Sequence, residues 1–261
     1  MGQKHEVLQS VIAGFRSVAV AFSGGVDSAL VLKVSYDVLG RNAVGVTADS
    51  PAVPRGEIEH AKRIAASIGV EHVLLQTGET KDEKYLQNPR NRCYFCKNEL
   101  YKTLAAFVAE RGLQQMANGT NADDLQDYRP GLQAAEQYAV KSPLVDAGLR
   151  KANVRALAKQ LGLEVWDKPA SPCLASRFPQ GTLITIDRLR RVEAAEQYVK
   201  AFGVHDLRVR YFGTTARIEV RSEDFPVVES NLPEIRRKFQ ELQFAEVFLS
   251  EFRSGVLNLP Q

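Results

Sequence analysis

Residues 18–33 read VAVAFSGGVDSALVLK. Val18, Ala19, Val20, Ala21 and Phe22 form a short unbroken apolar run, the pattern of a strand buried on both faces of a parallel sheet. Ser23, Gly24, Gly25, Val26, Asp27 and Ser28 follow. A helical pattern then resumes through Leu30, Val31, Leu32 and Val34. A glycine-rich turn between a strand and a helix aims backbone N–H groups at one spot, and the positive end of the helix adds to their pull on an anion. The Ser23 and Ser28 hydroxyls suit phosphate oxygens. A carboxylate does not, so Asp27 makes sense as the holder of a magnesium ion that neutralises the phosphate. No Gly-Lys pair follows, as the kinase-type loop G-x-x-x-x-G-K-[ST] requires, and G-x-G-x-x-G is absent as well.

Outward from this stretch, strand and helix patterns alternate. Residues 1–15 read as an amphipathic helix. Ala43–Thr47 reads as a second strand, Glu57–Ile68 as its helix and Val73–Leu75 as a third strand. Residues 78–92 are polar and irregular. Lys97–Glu110 is an amphipathic helix, Gln115–Asn118 a fourth strand, and Asn153–Leu161 another helix. This alternation predicts an α/β fold, a parallel sheet with helices on both faces. Ligands of such sheets bind beyond the C-terminal ends of the strands. That rim carries Ser23–Ser28 and the loop GTNADDLQD, residues 119–127, whose Asp123 and Asp124 fall near the phosphate turn. Prolines and glycines between 163 and 184 break the pattern. A helix over Asp187–Phe202, a hairpin of Asp206–Tyr211 and Thr215–Val220, a helix over Pro233–Leu242 and a strand at Glu246–Leu249 then predict a smaller α+β domain. The expected division is 1–168 and 169–261.

Composition narrows the class. The chain has 261 residues, 44% of them hydrophobic and 25% charged, with a net charge of +3. That is an ordinary globular balance, and neither half is a basic nucleic-acid module. No apolar run reaches membrane-spanning length. A signal-peptide core is lacking, so the expected compartment is the cytoplasm.

Three cysteines are present: Cys93 and Cys96 in Cys-Tyr-Phe-Cys, and Cys173 in ASPCLASR. A reducing compartment argues against structural disulfides. Structural zinc wants four ligands, and none of the four histidines stands at a ligand-like spacing. A thioredoxin-type pair would follow a strand, not a polar loop. Three thiolates can hold a 4Fe–4S cluster and leave one iron open. Three unrelated thiols remain the plainer alternative. Arg90, Arg92 and Arg177 flank the cysteines in sequence and favour the thiolate form.

AFSGGVDS, GTNADDLQDYRPG, ASPCLASRFPQGT, LRVRY and FRSG together span Ala21 to Gly255. The first motif resembles the pyrophosphatase loop of the N-type ATP pyrophosphatases. The whole set resembles the ATP-dependent sulfur transferases that mature the nickel-pincer cofactor of lactate racemase. The resemblance implies a reaction. ATP adenylates a carboxylate of pyridinium-3,5-biscarboxylic acid mononucleotide, pyrophosphate leaves, and sulfur then displaces AMP to give a thiocarboxylate. It also implies roles. Ser23, Gly24, Gly25, Asp27 and Ser28 grip pyrophosphate and its Mg2+, with Asp123 and Asp124 assisting. Arg208, Arg210 and Arg253 bind the substrate phosphate, and Glu196 stands near the sulfur site. Arg208 and Arg210 alternate with Val209, so on a strand both face one side. Members with one cysteine at the position of Cys173 sacrifice its sulfur. The presence of Cys93 and Cys96 resembles instead the branch in which three cysteines hold a 4Fe–4S cluster and a sulfide is transferred. Family members form hexamers, and Phe178, Phe212 and Phe225 are candidate contacts.

Three rivals fit less well. A tRNA thiolase must hold a polyanion, which the charge does not favour. An amide-forming synthetase of the NAD or GMP kind has no use for three cysteines. A non-catalytic nucleotide- or cluster-binding module does not need a pyrophosphate-releasing loop with its aspartate intact.

Overall fold

In the computed structural model, residues 2–126 and 129–252 are described. The chain divides into two compact units. The first comprises 1–82 and 91–171, and the second 83–90 and 172–261.

The first unit is built on four parallel strands, β1 (Val18–Ala21), β2 (Ala43–Asp49), β3 (Glu71–Gln76) and β4 (Gln115–Ala117), in the order β3-β2-β1-β4. Val18 pairs with Ala43 on one side and Gln115 on the other. The central strands are therefore buried, which is why they read as unbroken apolar runs. Helices α1 (Gly2–Ala13) and α2 (Val26–Leu39) belong to the core that covers one face. Gly45 lets α2 sit close, since a Cβ there would lie 2.8 Å from Leu32 Cδ2. Helix α3 (Arg55–Ile68) packs its Ile58, Ala61, Ile64 and Ala65 stripe inward. The opposite face is covered by α4 (Arg92–Arg111), through Leu100, Tyr101, Leu104 and Phe107. Burying each such large side chain is worth about 1.5–3 kcal/mol. Helices α5 (Gly131–Gln137), α6 (Pro143–Asp146) and α7 (Lys151–Gln160) complete the unit.

The α/β class with a parallel sheet is as the sequence predicts. Local differences have physical causes. The cysteine pair lies inside α4, as its second and fifth residues, and not ahead of the helix. None of residues 92–99 is buried, so the core-facing stripe of the helix begins only at Leu100. Helices α5 and α6 have seven and four residues, too few for a period to register. The segment read as irregular holds one helical turn, Glu83–Leu86, which groups with the second unit.

The second unit contains α8 (Ile186–Lys200), the hairpin β5 (Leu207–Phe212) and β6 (Thr215–Val220), α9 (Phe225–Ser230), α10 (Leu232–Glu241) and β7 (Glu246–Glu251). β7 joins β6 in parallel, giving the order β5-β6-β7. Gly213, at φ +69°, makes the tight hairpin turn. Phe178 is buried, with its ring 4.9 Å from that of Tyr211. It is a core residue and not a surface contact. Phe212 is 37% exposed and carries Arg217 over its ring.

Candidate functional site

β1 ends at Ala21, and the chain crosses the sheet rim as Phe22 N donates to the Val46 carbonyl at 2.8 Å. The Thr47 hydroxyl donates to the Phe22 carbonyl at 2.7 Å. That hydroxyl has one proton, so His72 Nε2, 2.8 Å away, must donate to its oxygen. Burial holds the His72 imidazole below its ordinary pKa, with the charge of Lys62 adding to the effect.

The turn itself is tight. Ser23 N donates to Ser28 Oγ at 3.2 Å, and Ser28 Oγ donates to the Gly25 carbonyl at 3.1 Å. Gly24 sits at φ +73°, where only glycine is comfortable. Gly25 precedes α2 and offers no side-chain cap, so the N–H groups of the first helical turn are open to an anion. His60 on α3 reaches the Gly24 carbonyl through Nε2 at 3.2 Å. Burial and then the charge of Lys168 hold the His60 imidazole low, with Glu57 opposing and Arg63 adding.

Asp27 is gripped from two sides. The Lys151 ammonium is ion-paired to Oδ2, and Asn121 Nδ2 donates to Oδ1 at 3.1 Å. Both partners come from the rim. Gly119 allows the Asn121 loop to lie on the phosphate turn, because a Cβ there would stand 2.6 Å from Ser28 N. Asp123 accepts from the Lys151 backbone N–H at 2.9 Å, which fixes the start of α7. Asp124 accepts from Asn121 N at 3.1 Å and is paired with Arg129 at 2.7 Å. Asp123 and Asp124 are thus bonded to Lys151 and Asn121, the two residues that hold Asp27. Lys151 carries no signal in the sequence, and Asn121, though inside GTNADDLQD, is not marked there as a partner of Asp27.

The second unit holds a different kind of centre. Glu196 is buried and accepts from Arg177 Nε at 2.8 Å, from Arg177 Nη2 at 3.2 Å and from Val209 N at 3.0 Å. The same guanidinium donates to the carbonyls of Pro172 and Cys173 at 2.8 and 3.2 Å, bracing the turn that carries Cys173. Arg210 is also buried. It pairs with Glu219 at 2.8 Å and donates to the Ser176 carbonyl at 2.8 Å. Arg208 shares the strand face, with its guanidinium 4.1 Å from the Phe252 ring centroid. Burial lowers its pKa, and the positive charges of Arg177 and Arg210 lower it further. Asp206 and Glu219 oppose that lowering, and Arg177 and Arg210 have carboxylate partners in Glu196 and Glu219. Arg253 lies outside the described residues.

Cys93 and Cys96 stand one turn apart on α4, the first exposed and the second half-buried; Cys173 is half-buried in the second unit. Residues at i and i+3 share a helix face, which puts Cys93 and Cys96 on one side of α4. Among the described residues, no group of three or more His, Cys, Asp or Glu side chains is gathered as a metal site. No helix among them is long and apolar enough to cross a membrane. For Mg2+ the fit is simpler. That ion is commonly held by one or two carboxylates plus substrate phosphates, and Asp27 supplies one such carboxylate inside the phosphate turn.

A family profile described as NAD synthase matches residues 4–91, the segment that contains the phosphate turn. An uncharacterized protein of Synechocystis is 45% identical, covering 98% of this chain and 97% of its own length. The pyridinium-3,5-bisthiocarboxylic acid mononucleotide synthase of Lactiplantibacillus plantarum is 37% identical, covering 99% of this chain and 95% of its own. A tRNA-specific 2-thiouridylase of Xanthobacter autotrophicus is 30% identical over 69% of this chain, which spans 55% of that relative.

Proposed function

The chain belongs to the family of the pyridinium-3,5-bisthiocarboxylic acid mononucleotide synthase, and from that membership we propose that it is an ATP-dependent sulfur transferase acting on pyridinium-3,5-biscarboxylic acid mononucleotide. The observation that carries the reading is the intact Ser23–Ser28 turn, with Asp27 held by Lys151 and Asn121, in a chain that aligns end to end with that synthase.

The chemistry runs in two displacements. A substrate carboxylate oxygen attacks the α-phosphorus of ATP, the bond to the β-phosphate breaks, and pyrophosphate leaves. A sulfur nucleophile then adds to the acyl-adenylate carbonyl carbon, and the C–O bond to AMP breaks. A second round at the other carboxylate gives the bis-thiocarboxylate. Carboxylate is a poor electrophile, and adenylation supplies its leaving group. In the first unit, the Ser23 and Ser28 hydroxyls and the N–H groups at the start of α2 hold the departing pyrophosphate. Asp27 would hold Mg2+, with Lys151 as a cation beside it, and Asp123 and Asp124 position Lys151 and Asn121. In the second unit, Arg208 with Arg210 receives the substrate phosphate, and Arg177 with Glu196 fixes the backbone around Cys173. The presence of Cys93 and Cys96 in addition to Cys173 is what favours cluster-borne sulfur over a sacrificial Cys173. With Cys173 they are three thiolates for a 4Fe–4S cluster. That group would supply the sulfide as a held rather than a diffusing nucleophile. A cytoplasmic homo-hexamer that binds no nucleic acid completes the proposal.

The test is pyrophosphate and AMP release in the presence of ATP, Mg2+ and the pyridinium substrate, with the product mass read for replacement of oxygen by sulfur. Release driven instead by an ammonia-dependent substrate, with nitrogen gained, would sink the reading in favour of an amide synthetase. Iron and acid-labile sulfide after anaerobic purification decide between cluster and sacrifice. About four irons per chain, lost in Cys93→Ala, supports the cluster. Iron-free protein after reconstitution supports Cys173 as the donor.

A further inference from the structure

We infer that His60 is a positioning residue that locks the Gly24–Gly25 peptide in the orientation that turns the Gly25 N–H into the phosphate site. The inference rests on reading Ser23–Ser28 as the loop that holds the phosphates of ATP. A trans peptide is planar, and its C=O and N–H point in opposite directions. Fixing one therefore fixes the other. A peptide between two glycines has no Cβ on either side to bar a flip. Gly24 is at φ +73° and Gly25 at φ −82°, ψ 160°. A flipped peptide would present a carbonyl oxygen where an N–H is needed, and the reversed dipole would repel an anion.

α3 opposes that flip. His60 Nε2 lies 3.2 Å from the Gly24 carbonyl oxygen. Arg63 Nη2 lies 3.1 Å from His60 Nδ1. A guanidinium only donates, so Nδ1 must be the bare nitrogen and Nε2 must carry the proton. Arg63 thereby sets the tautomer that can hold the carbonyl. The seat is close: a Cβ on Gly24 would stand 3.1 Å from both Ala61 Cα and His60 Cδ2. With its carbonyl partner taken on the α3 side, the Gly25 N–H faces inward, where its present partner is Ser23 Oγ at 3.4 Å. That long bond is one a phosphate oxygen can displace.

The experiment is titration of the full chain with inorganic pyrophosphate in Mg2+, for wild type, His60→Ala, His60→Gln and Ser28→Ala, with thermal midpoints alongside. His60→Ala is expected to weaken pyrophosphate binding and raise KM for ATP about tenfold with little change in kcat, the scale of one lost hydrogen bond to a charged ligand. His60→Gln is expected to recover most of the loss, because its carboxamide N–H can reach the same carbonyl. Near wild-type binding by His60→Ala, with Ser28→Ala impaired, overturns the lock and leaves the loop reading standing. Equal losses in His60→Ala and His60→Gln also overturn it, since the defect is then one of packing. Absence of pyrophosphate and ATP binding by wild type overturns the loop reading and the lock with it.

Discussion

The two centres are organised by opposite means. The phosphate turn of the first unit is a backbone device. Glycines allow the chain to fold tightly, a helix N-terminus supplies the field, and Lys151, the ionic partner of Asp27, is 40% exposed. The arginine centre of the second unit is a side-chain device. Arg177 and Glu196 are 5% and 4% exposed, and Arg210 and Glu219 are 5% and 3% exposed. Water cannot screen such pairs, and removing one partner strands a charge. On the proposed function, the first design accepts phosphate without breaking a buried pair, while the second keeps its shape through buried pairs.

Splitting the two steps of the reaction is the sharpest way to break this comparison. Cys173→Ala is expected to abolish thiocarboxylate formation while pyrophosphate release on adding ATP and the pyridinium substrate persists. Asp27→Asn is expected to suppress both, with pyrophosphate release down about 10²–10³-fold, the scale of a lost electrostatic stabiliser. Pyrophosphate assays and product mass spectra read both outcomes. Loss of pyrophosphate release in Cys173→Ala would mean that the two regions do not divide the chemistry as proposed.

Stability should separate the regions next. Glu196→Ala leaves Arg177 buried without its carboxylate and is expected to cost about 3–5 kcal/mol in urea unfolding. Lys151→Ala removes a partly exposed partner of Asp27 and is expected to cost about 1 kcal/mol or less. Comparable losses in the two variants would erase the distinction between a shape-holding and a ligand-accepting centre.

The same contrast explains what could be read from sequence. The phosphate turn is local: strand, Ser-Gly-Gly, aspartate and helix follow one another, so pattern alone places them. The sheet and its rim follow from buried runs and alternation, and Asp123 and Asp124 arrive by the rim rule. Partners distant in sequence escaped. Lys151 meets Asp27 across 124 residues, and Glu219 meets Arg210 across a hairpin. Glu196 was one helical glutamate among several until the fold set Arg177 against it. His60 was one of four unassigned histidines, and only the packing of α3 under Gly24 gives it a task. The helix α4 starts five residues before Lys97, where the pattern places it, because none of residues 92–99 is buried and Tyr94 and Phe95 alone give no core-facing period.

The smallest expected effect belongs to the histidines that brace the phosphate turn. His60 and His72 both have pKa values below the ordinary 6.5, chiefly through burial. The unfolded chain therefore binds more protons than the folded one as pH falls through 6.5, and stability falls with it. The loss is complete once pH is below the folded values. Both rings are half-buried, so solvent tempers the slope. A thermal midpoint measured between pH 8 and pH 5 is expected to decline modestly on the acid side in wild type. His72→Gln keeps a donor for the Thr47 hydroxyl but cannot titrate, so it is expected to flatten part of that decline. An acid limb unchanged in both His60→Gln and His72→Gln would place the proton uptake in carboxylates such as Asp49, whose pKa Arg55 holds down. The limb would then begin nearer the carboxylate range, and the phosphate turn would owe its stability to its backbone alone.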